Sequence, residues 1–200
     1  VRYLVPIGEN AEIQELVLEN TTKESKKVCI HSFVEFCLYN ALDDFTNFQR
    51  NLNTGQVEID GNGIYHVTEY RERRNHFAFF WTDANIAGFD SDRESFIGKH
   101  GDFQAPLAVT SGSSSNSVAD GWSPVASHHL EWELKPGESK RALFMLGYIE
   151  NDDAKKWATP GVANKELAYA LQNKYKTDGA FEQAWKDLEA FWIEKLQRFS

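Results

Sequence analysis

Hydrophobic and polar residues alternate with a period of two along much of the first 150 residues, a pattern typical of half-buried antiparallel strands. Residues 15–19 and 27–39 flank a polar stretch at 20–25, and we predict that they pair as a hairpin. The apolar residues that share one face of its second strand are Val28, Ile30, Val34, Phe36 and Leu38.

Further strands are predicted around two turn signals. Residues 56–59 and 64–70 flank Asp60-Gly61-Asn62-Gly63, where Gly and Asn can supply the positive φ of a tight hairpin. Residues 76–82 form the next strand, and residues 127–134 and 140–149 flank Pro136-Gly137. Several short antiparallel strands predict a mainly β fold, an antiparallel β-sandwich.

The period changes after Asn151, where the spacing becomes helical. Helices are predicted at residues 165–175 and 179–199, and Thr177 or Asp178 is expected to cap the second. The apolar stripe of the second helix contains Phe181, Ala184, Trp185, Leu188, Phe191, Trp192, Leu196 and Phe199. Such a stripe either packs back on the sandwich or has a partner beyond Ser200. We therefore divide the chain into part of a β-sandwich domain, residues 1–150, and a helical linker, residues 151–200.

Two long stretches, residues 83–104 and 111–125, carry no clear period. The serine-rich segment 111–117 has the composition of a flexible linker, but strand signals resume on both sides, so a surface loop is predicted. Asp90-Ser91-Asp92 is weakly similar to a calcium loop but lacks the Gly and the distal Glu of an EF-hand, which favours a solvated loop.

Composition limits the classes of partner. The 200 residues suit one domain, and the net charge of −9 argues against nucleic acid. No apolar run approaches the roughly 18 residues that would span a membrane. Cys29 and Cys37 lie in one predicted strand and are expected to be free buried thiols, which indicates a cytoplasmic location. The chain starts with Val1 directly in a strand pattern, so we expect an incomplete piece of a larger protein.

Motifs for several chemistries are missing from the sequence. There is no Gly-x-Ser-x-Gly elbow for a nucleophilic serine and no glycine-rich phosphate loop. His128 and His129 are adjacent in a predicted strand and should point to opposite faces, so they cannot bind one metal together. We therefore expect no metal site and no cofactor.

Recognition of a sugar is the chemistry that the sequence supports best. The segment at residues 39–51 combines amides, the Arg50 guanidinium and aromatic rings without helical or strand spacing, as expected of a recognition loop. An ion pair between Arg50 and Asp43 or Asp44 is an equally good interpretation. Paired carboxylates can hydrolyse sugars, but Asp43, Asp44, Glu58, Glu69 and Glu72 are a weak signal in so acidic a chain. The charged cluster at residues 70–76 favours a solvated turn or local salt bridges.

Six ordered segments are shared with one enzyme family. They are Phe33-Val34-Glu35-Phe36-Cys37-Leu38, Asn40-Ala41-Leu42-Asp43-Asp44, Asn47-Phe48-Gln49-Arg50-Asn51, Ile64-Tyr65-His66, Thr68-Glu69-Tyr70-Arg71-Glu72-Arg73-Arg74 and Gly88-Phe89-Asp90-Ser91-Asp92-Arg93. Through them residues 1–148 resemble the amino-terminal region of the cellobiose phosphorylases, glycoside hydrolase family 94. Cellodextrin and chitobiose phosphorylases share much of this architecture.

The resemblance implies a sandwich of the super-sandwich, galactose-mutarotase-like type, followed by a helical linker, an (α/α)6 catalytic barrel and a small carboxy-terminal β domain in a homodimer. The implied reaction converts cellobiose and phosphate to α-D-glucose 1-phosphate and D-glucose with inversion. Phosphate is already an anionic nucleophile, so one general acid suffices. By the same resemblance that acid lies beyond Ser200, so this chain contains no catalytic residue and is expected to be inactive alone.

The resemblance also assigns substrate-binding residues. Arg50 is expected to contact the leaving glucose in the acceptor subsite, and Gln49 is a second contact. The chain then contributes an acceptor-site loop and a dimer surface to the larger enzyme. The alternative is a stand-alone carbohydrate-binding or interaction module without catalysis.

Overall fold

The computed structural model describes residues 1–36, 55–68, 75–119 and 124–197. The strands in these ranges are β1 (Arg2–Leu4), β2 (Ala11–Glu19), β3 (Lys26–His31), β4 (Val34–Glu35), β5 (Gly55–Asp60), β6 (Gly63–Thr68), β7 (His76–Thr82), β8 (Gly88–Asp92), β9 (Pro124–Leu134), β10 (Ser139–Glu150), β11 (Trp157–Thr159) and β12 (Val162–Ala163). The helices are α1 (Arg93–Ile97), α2 (Leu107–Ser111), the 3-10 helix η1 (Asp153–Lys155), α3 (Glu166–Lys176) and α4 (Ala180–Leu196). The chain is mainly β and antiparallel, as predicted.

Six strands form one antiparallel sheet in the order β1-β2-β10-β7-β6-β5. The predicted hairpin at 56–59 and 64–70 is confirmed as β5–β6, and the predicted strand at 76–82 is β7. In the hairpin turn Gly61 has a φ of +55°, whereas Asn62 has no positive φ. The Asn62 side chain instead donates hydrogen bonds to the Thr82 and Ala84 carbonyl oxygens, at 3.2 and 2.8 Å, and fixes the turn against the end of β7.

The predicted hairpin between residues 15–19 and 27–39 is wrong, because β2 pairs with β1 and β10 whereas β3 pairs with β9. The turn between β2 and β3 carries the chain from one sheet to the other. Its buried Asn20 donates a side-chain hydrogen bond to the Leu134 carbonyl oxygen at 2.9 Å, and Gly137 N donates to the Asn20 carbonyl oxygen at 2.8 Å. The turn between β9 and β10 lies beside it and likewise carries the chain from one sheet to the other. These two turns close one end of the sandwich.

The second sheet is built around β9, which pairs with β3, β4 and β8. A continuous strand was predicted at residues 27–39, but β3 ends at His31 and β4 begins at Val34. The Ser32 hydroxyl accepts the hydrogen bond of the His128 backbone N–H at 2.9 Å. The Ser32 side chain thus replaces the backbone carbonyl oxygen that would accept this bond in a regular sheet, and the strand is interrupted there.

The six-stranded sheet is buried on both faces. One face packs against the second sheet through the inter-sheet core, which contains Ile64, Phe80, Ala126, Leu130 and Phe144. The other face carries Ile13, Tyr65, Phe79, Leu143 and Met145, which pack with residues of α3 and α4. Because neighbouring strand residues point to opposite faces, Phe79 and Phe80 fill different cores. The architecture is therefore a two-sheet sandwich with helices on the outer face of the larger sheet.

Helices α3 and α4 confirm the predicted helical spacing, and the first half of the apolar stripe packs back on the sandwich, while Phe199 lies outside the described residues. Phe181 is buried, and Ala184, Trp185 and Leu188 pack around it. The second half of α4 differs, since Trp192, Ile193 and Leu196 are all at least half exposed. The predicted cap is wrong: the N-cap of α4 is Gly179, which has a φ of +81° and makes no side-chain capping bond. The division of the chain at residue 150 remains a prediction, and η1, β11 and β12 occupy the start of the second part.

The predicted solvated loop at residues 90–92 is wrong, because these residues belong to β8 and Asp90 and Ser91 are fully buried. The Asp90 carboxylate accepts hydrogen bonds from the hydroxyl groups and backbone N–H groups of Ser115 and Ser117. A buried carboxylate needs such donors to remain in the interior. The serine-rich segment is thus held against the sandwich by Asp90.

Cys29 is a free, exposed cysteine, so the predicted burial of this thiol is wrong. Its neighbours in β3 alternate, and its side chain lies on the face that points away from the inter-sheet core. Cys37 lies outside the described residues. Within the described ranges, no helix combines the length and the apolar character needed to cross a membrane.

Candidate functional site

The two predicted substrate-binding residues, Gln49 and Arg50, lie outside the described residues. The acidic residues Asp43, Asp44, Glu69 and Glu72 lie outside them as well. The structure does describe the residues that flank the two segments, residues 37–54 and 69–74. These flanking residues define where the segments join the fold.

Both segments join the fold near one end of the six-stranded sheet, and the first of them starts after β4 of the second sheet. Gly55, which follows the first segment, is the register partner of Thr68, which precedes the second. Phe36, the last described residue before the first segment, packs against the His66 ring with 5.4 Å between ring centroids. His76 begins the neighbouring strand β7 at the same end, where it pairs with Glu150. The segment that combines amides, a guanidinium group and aromatic residues, 37–54, and the charged segment 69–74 therefore have neighbouring points of attachment.

A surface groove of about 660 Å³ lies at this end, beside Phe36. Its lining includes Ala78 and Tyr148 from the sheet and the carboxylates Glu9, Glu12 and Glu35. Each carboxylate already has a partner: Glu9 accepts from Tyr175 at 2.8 Å, Glu12 from Gln14 at 2.7 Å and Glu35 from Arg93 at 2.8 Å. Aromatic rings and carboxylates can bind a sugar, but the described residues that line the groove include no carboxyl pair free of such partners.

Glu58, the remaining predicted carboxylate, has a structural role. It forms an ion pair with Lys165 and accepts a hydrogen bond from the Ala163 backbone N–H at 3.0 Å. Both side chains are at most 10% exposed. This pair fixes β12 and the start of α3 to β5, so Glu58 is committed to the fold.

His128 and His129 point to opposite faces of β9, as predicted. The His128 ring lies in the inter-sheet core, 5.1 Å from the Phe80 ring centroid and 6.2 Å from that of Phe144. Its Nε2 donates to the Asn62 carbonyl oxygen at 3.0 Å, and its Nδ1 lies 3.3 Å from the Ser32 hydroxyl. Burial lowers the pKa of His128 to about 4, although the hydrogen bond to Asn62 acts in the opposite direction. The ring is therefore neutral at pH 7.

A group of metal-ligand side chains lies on the outer face of the β3–β9 pair. Cys29 is the register partner of Glu131, and His31 is the register partner of His129. Since residues two apart share a face, all four belong to one face, and we call them the β3–β9 donor cluster. Ligand atoms of Cys29, His129 and Glu131 all lie within 4.8 Å of one another. The His31 and His129 rings stack with 4.5 Å between their centroids. Burial and the neighbouring His129 lower the pKa of His31, whereas the Asp90 carboxylate acts to raise it.

Sequence reasoning missed this cluster because its members lie on two strands that are far apart in the chain. The only sequence signal is that Cys29 and His31, like His129 and Glu131, are separated by one residue. That spacing places two donors on one face of a strand, but it does not reveal which strand is the neighbour.

Comparisons with known proteins agree with the fold. The family model described as "Glycosyl hydrolase 94, supersandwich domain" matches residues 1–178. Two proteins named N,N'-diacetylchitobiose phosphorylase are similar to 98% of the chain, that of Vibrio furnissii at 26% identity and that of Vibrio proteolyticus at 29%. The solabiose phosphorylase of Paenibacillus borealis is 23% identical over 86% of the chain.

The chain spans 23% of the length of each of these curated relatives. The matched residues of the family model include both sheets and helix α3. This chain therefore belongs to glycosyl hydrolase family 94 and matches its supersandwich domain.

Proposed function

We propose that this chain is the sandwich and helical linker of an inverting disaccharide phosphorylase. The family match over residues 1–178 is the observation that carries this proposal. The three relatives are all named as phosphorylases, which supports the reaction class. The proposed reaction is transfer of a glucosyl unit from cellobiose to phosphate, which gives α-D-glucose 1-phosphate and D-glucose. Because two relatives are named for N,N'-diacetylchitobiose, that disaccharide is the competing substrate.

The proposed role of the chain is to bind the acceptor sugar, with no part in proton transfer. Arg50 and Gln49 are the proposed contacts, since a guanidinium group and an amide can read sugar hydroxyls. The flanking residue Phe36 supports this role, because it lines the groove together with Tyr148 and is the last described residue before the segment. The general acid is proposed to belong to another part of the enzyme.

The proposed assembly is a cytoplasmic homodimer. The exposed apolar residues of α4, Trp192, Ile193 and Leu196, support a further contact for this helix, with another domain or another subunit. The free Cys29 and a phosphorylated sugar product are both suited to the cytoplasm. Sedimentation of the complete enzyme tests this part, and a monomer would contradict it.

The reaction is tested by measuring the release of both sugar phosphate and free sugar from each disaccharide by the complete enzyme, with and without phosphate. The proposal predicts that cleavage requires phosphate and that cellobiose gives the larger kcat/KM. Equal cleavage without phosphate would identify a hydrolase and contradict the reaction class. A preference for N,N'-diacetylchitobiose would contradict only the choice of sugar.

A second assay tests the division of labour. The 200-residue chain alone is expected to show no turnover of cellobiose with phosphate. Turnover by the chain alone would show that it contains its own general acid and would refute the non-catalytic role.

A further inference from the structure

We propose that the β3–β9 donor cluster is a binding site for Zn²⁺, with Cys29, His129 and Glu131 as its three protein ligands. The site lies on the outer face of the second sheet and is independent of the proposed phosphorolysis. Three features support the site: the strand register, the short distances between the ligand atoms and a buried histidine nitrogen without a hydrogen-bond partner.

The pairing register of β3 and β9 brings the three proposed ligands together. Cys29 and Glu131 are opposite each other across the β3–β9 ladder, and His129 lies two pairs further along, on the same face. Cross-strand partners have Cβ atoms about 4.5–5.5 Å apart, so their side chains meet without a change in the sheet. The opposite face of the pair contributes Ile30 and Leu130 to the inter-sheet core and fixes this register.

The ligand atoms are close to the geometry that zinc requires. All three lie within 4.8 Å of one another, and His129 Nε2 is 3.8 Å from the Glu131 carboxylate. Tetrahedral zinc, with bonds of about 2.0–2.3 Å, holds its ligand atoms roughly 3.4–3.6 Å apart. Side-chain movements of about 1 Å would therefore close the site around the ion.

The buried end of the cluster lacks hydrogen-bond partners. His129 is only 3% exposed, and its Nε2 is buried with no hydrogen-bond partner. Both ring nitrogens of the stacked His31 are in the same condition. A buried polar atom without a partner is costly, and a metal ion bound to His129 Nε2 would remove this cost.

The open end of the cluster gives the ion a path from solvent. Cys29 and Glu131 are exposed and line a surface depression of about 370 Å³. A thiolate, an imidazole and a carboxylate form a mixed donor set that suits Zn²⁺ better than Mg²⁺ or Ca²⁺, which prefer oxygen ligands alone. Three protein ligands leave a fourth position for water, and the His31 ring, which stacks on His129, is a further donor on the same face.

The test is titration of the purified protein with Co²⁺, which substitutes for Zn²⁺ and reports a thiolate ligand through a charge-transfer absorption band. The expected result is one equivalent of Co²⁺ bound with this band, followed by displacement with Zn²⁺. Cys29→Ser should abolish the band, and Glu131→Gln should weaken Zn²⁺ binding by about tenfold or more. Both residues are exposed, so neither substitution should impair folding, which circular dichroism checks.

Two control variants make the result specific. Cys37→Ser removes the other cysteine of the chain and should retain the band. Glu133→Gln removes an exposed carboxylate two residues further along β9 and should change Zn²⁺ affinity by less than about threefold. Absence of saturable binding, a band that survives Cys29→Ser, or a band lost in Cys37→Ser would each overturn the proposed site.

Discussion

The buried His128 should make the protein lose stability on mild acidification. Its ring is fully buried between the two sheets, and its pKa is lowered to about 4 from an ordinary 6.5, mainly by burial. The unfolded chain therefore binds a proton at this residue before the folded protein does. Its contribution to stability is fully present above pH 6.5 and declines as the pH falls toward 4.

The magnitude follows from the shift in pKa. The difference between 6.5 and about 4, at 1.36 kcal/mol for each pH unit, corresponds to roughly 3 kcal/mol in full. Between pH 7 and pH 5 about 2 kcal/mol of this is lost, because the unfolded histidine is by then almost fully protonated. The lowered pKa of His31 adds an effect of the same sign, so a variant of His128 is needed to separate the two.

The assay is urea denaturation followed by tryptophan fluorescence at pH 7, 6 and 5, with His128→Gln beside the original protein. Glutamine keeps a side-chain donor for Asn62 but has no titrating ring. The variant should lose about 2 kcal/mol less than the original protein between pH 7 and 5. The matched control His100→Gln replaces an exposed histidine and should leave the pH dependence unchanged.

Identical pH dependence in His128→Gln and in the original protein would refute the reasoning. Should the variant fail to fold, nuclear magnetic resonance titration of the histidine rings in the original protein gives the same answer. A His128 pKa near its ordinary 6.5 would contradict the prediction.

Two further predictions concern the buried groups that hold the layers together. Glu58→Gln leaves the buried Lys165 without its carboxylate and should cost about 3–5 kcal/mol of unfolding free energy. The control Glu24→Gln, at an exposed residue, should cost less than about 1 kcal/mol. Equal effects of the two substitutions in urea denaturation would exclude a buried ion pair. Phe80→Ala empties part of the inter-sheet core and should cost about 3–5 kcal/mol, while Phe103→Ala, at a half-exposed ring, should cost clearly less; a small effect at Phe80 would contradict the packing of the two sheets.

The local elements could be predicted from the sequence because their signals are local. Alternation identifies β7 at its observed bounds, and helical spacing identifies α3 and α4. The hairpin β5–β6 follows from its Gly61-Asn62 turn, where one glycine supplies the positive φ. Each of these features depends on residues within one strand, one turn or one helix.

Features that depend on distant partners could not be predicted in the same way. The polar turn after β2 has the composition of a hairpin turn, but Asn20 binds the Leu134 carbonyl oxygen and directs the chain into the other sheet. The Asp90-Ser91-Asp92 sequence has the composition of a loop. Asp90 can be buried because the hydroxyl groups of Ser115 and Ser117 donate hydrogen bonds to its carboxylate. The β3–β9 donor cluster, to which Cys29, His129 and Glu131 belong, likewise exists only because β3 pairs with β9.

The central claim is that this family 94 domain supplies an acceptor-site contact through Arg50. Its most direct test is the kinetics of Arg50→Ala and Arg50→Lys in the complete enzyme, run in the synthetic direction with glucose and α-D-glucose 1-phosphate. Loss of a charge-assisted hydrogen bond of about 1.5–3 kcal/mol should lower kcat/KM for glucose roughly 10- to 150-fold in Arg50→Ala, with partial recovery in Arg50→Lys. The KM for α-D-glucose 1-phosphate should stay the same. Unchanged kinetics for glucose in Arg50→Ala would contradict the account.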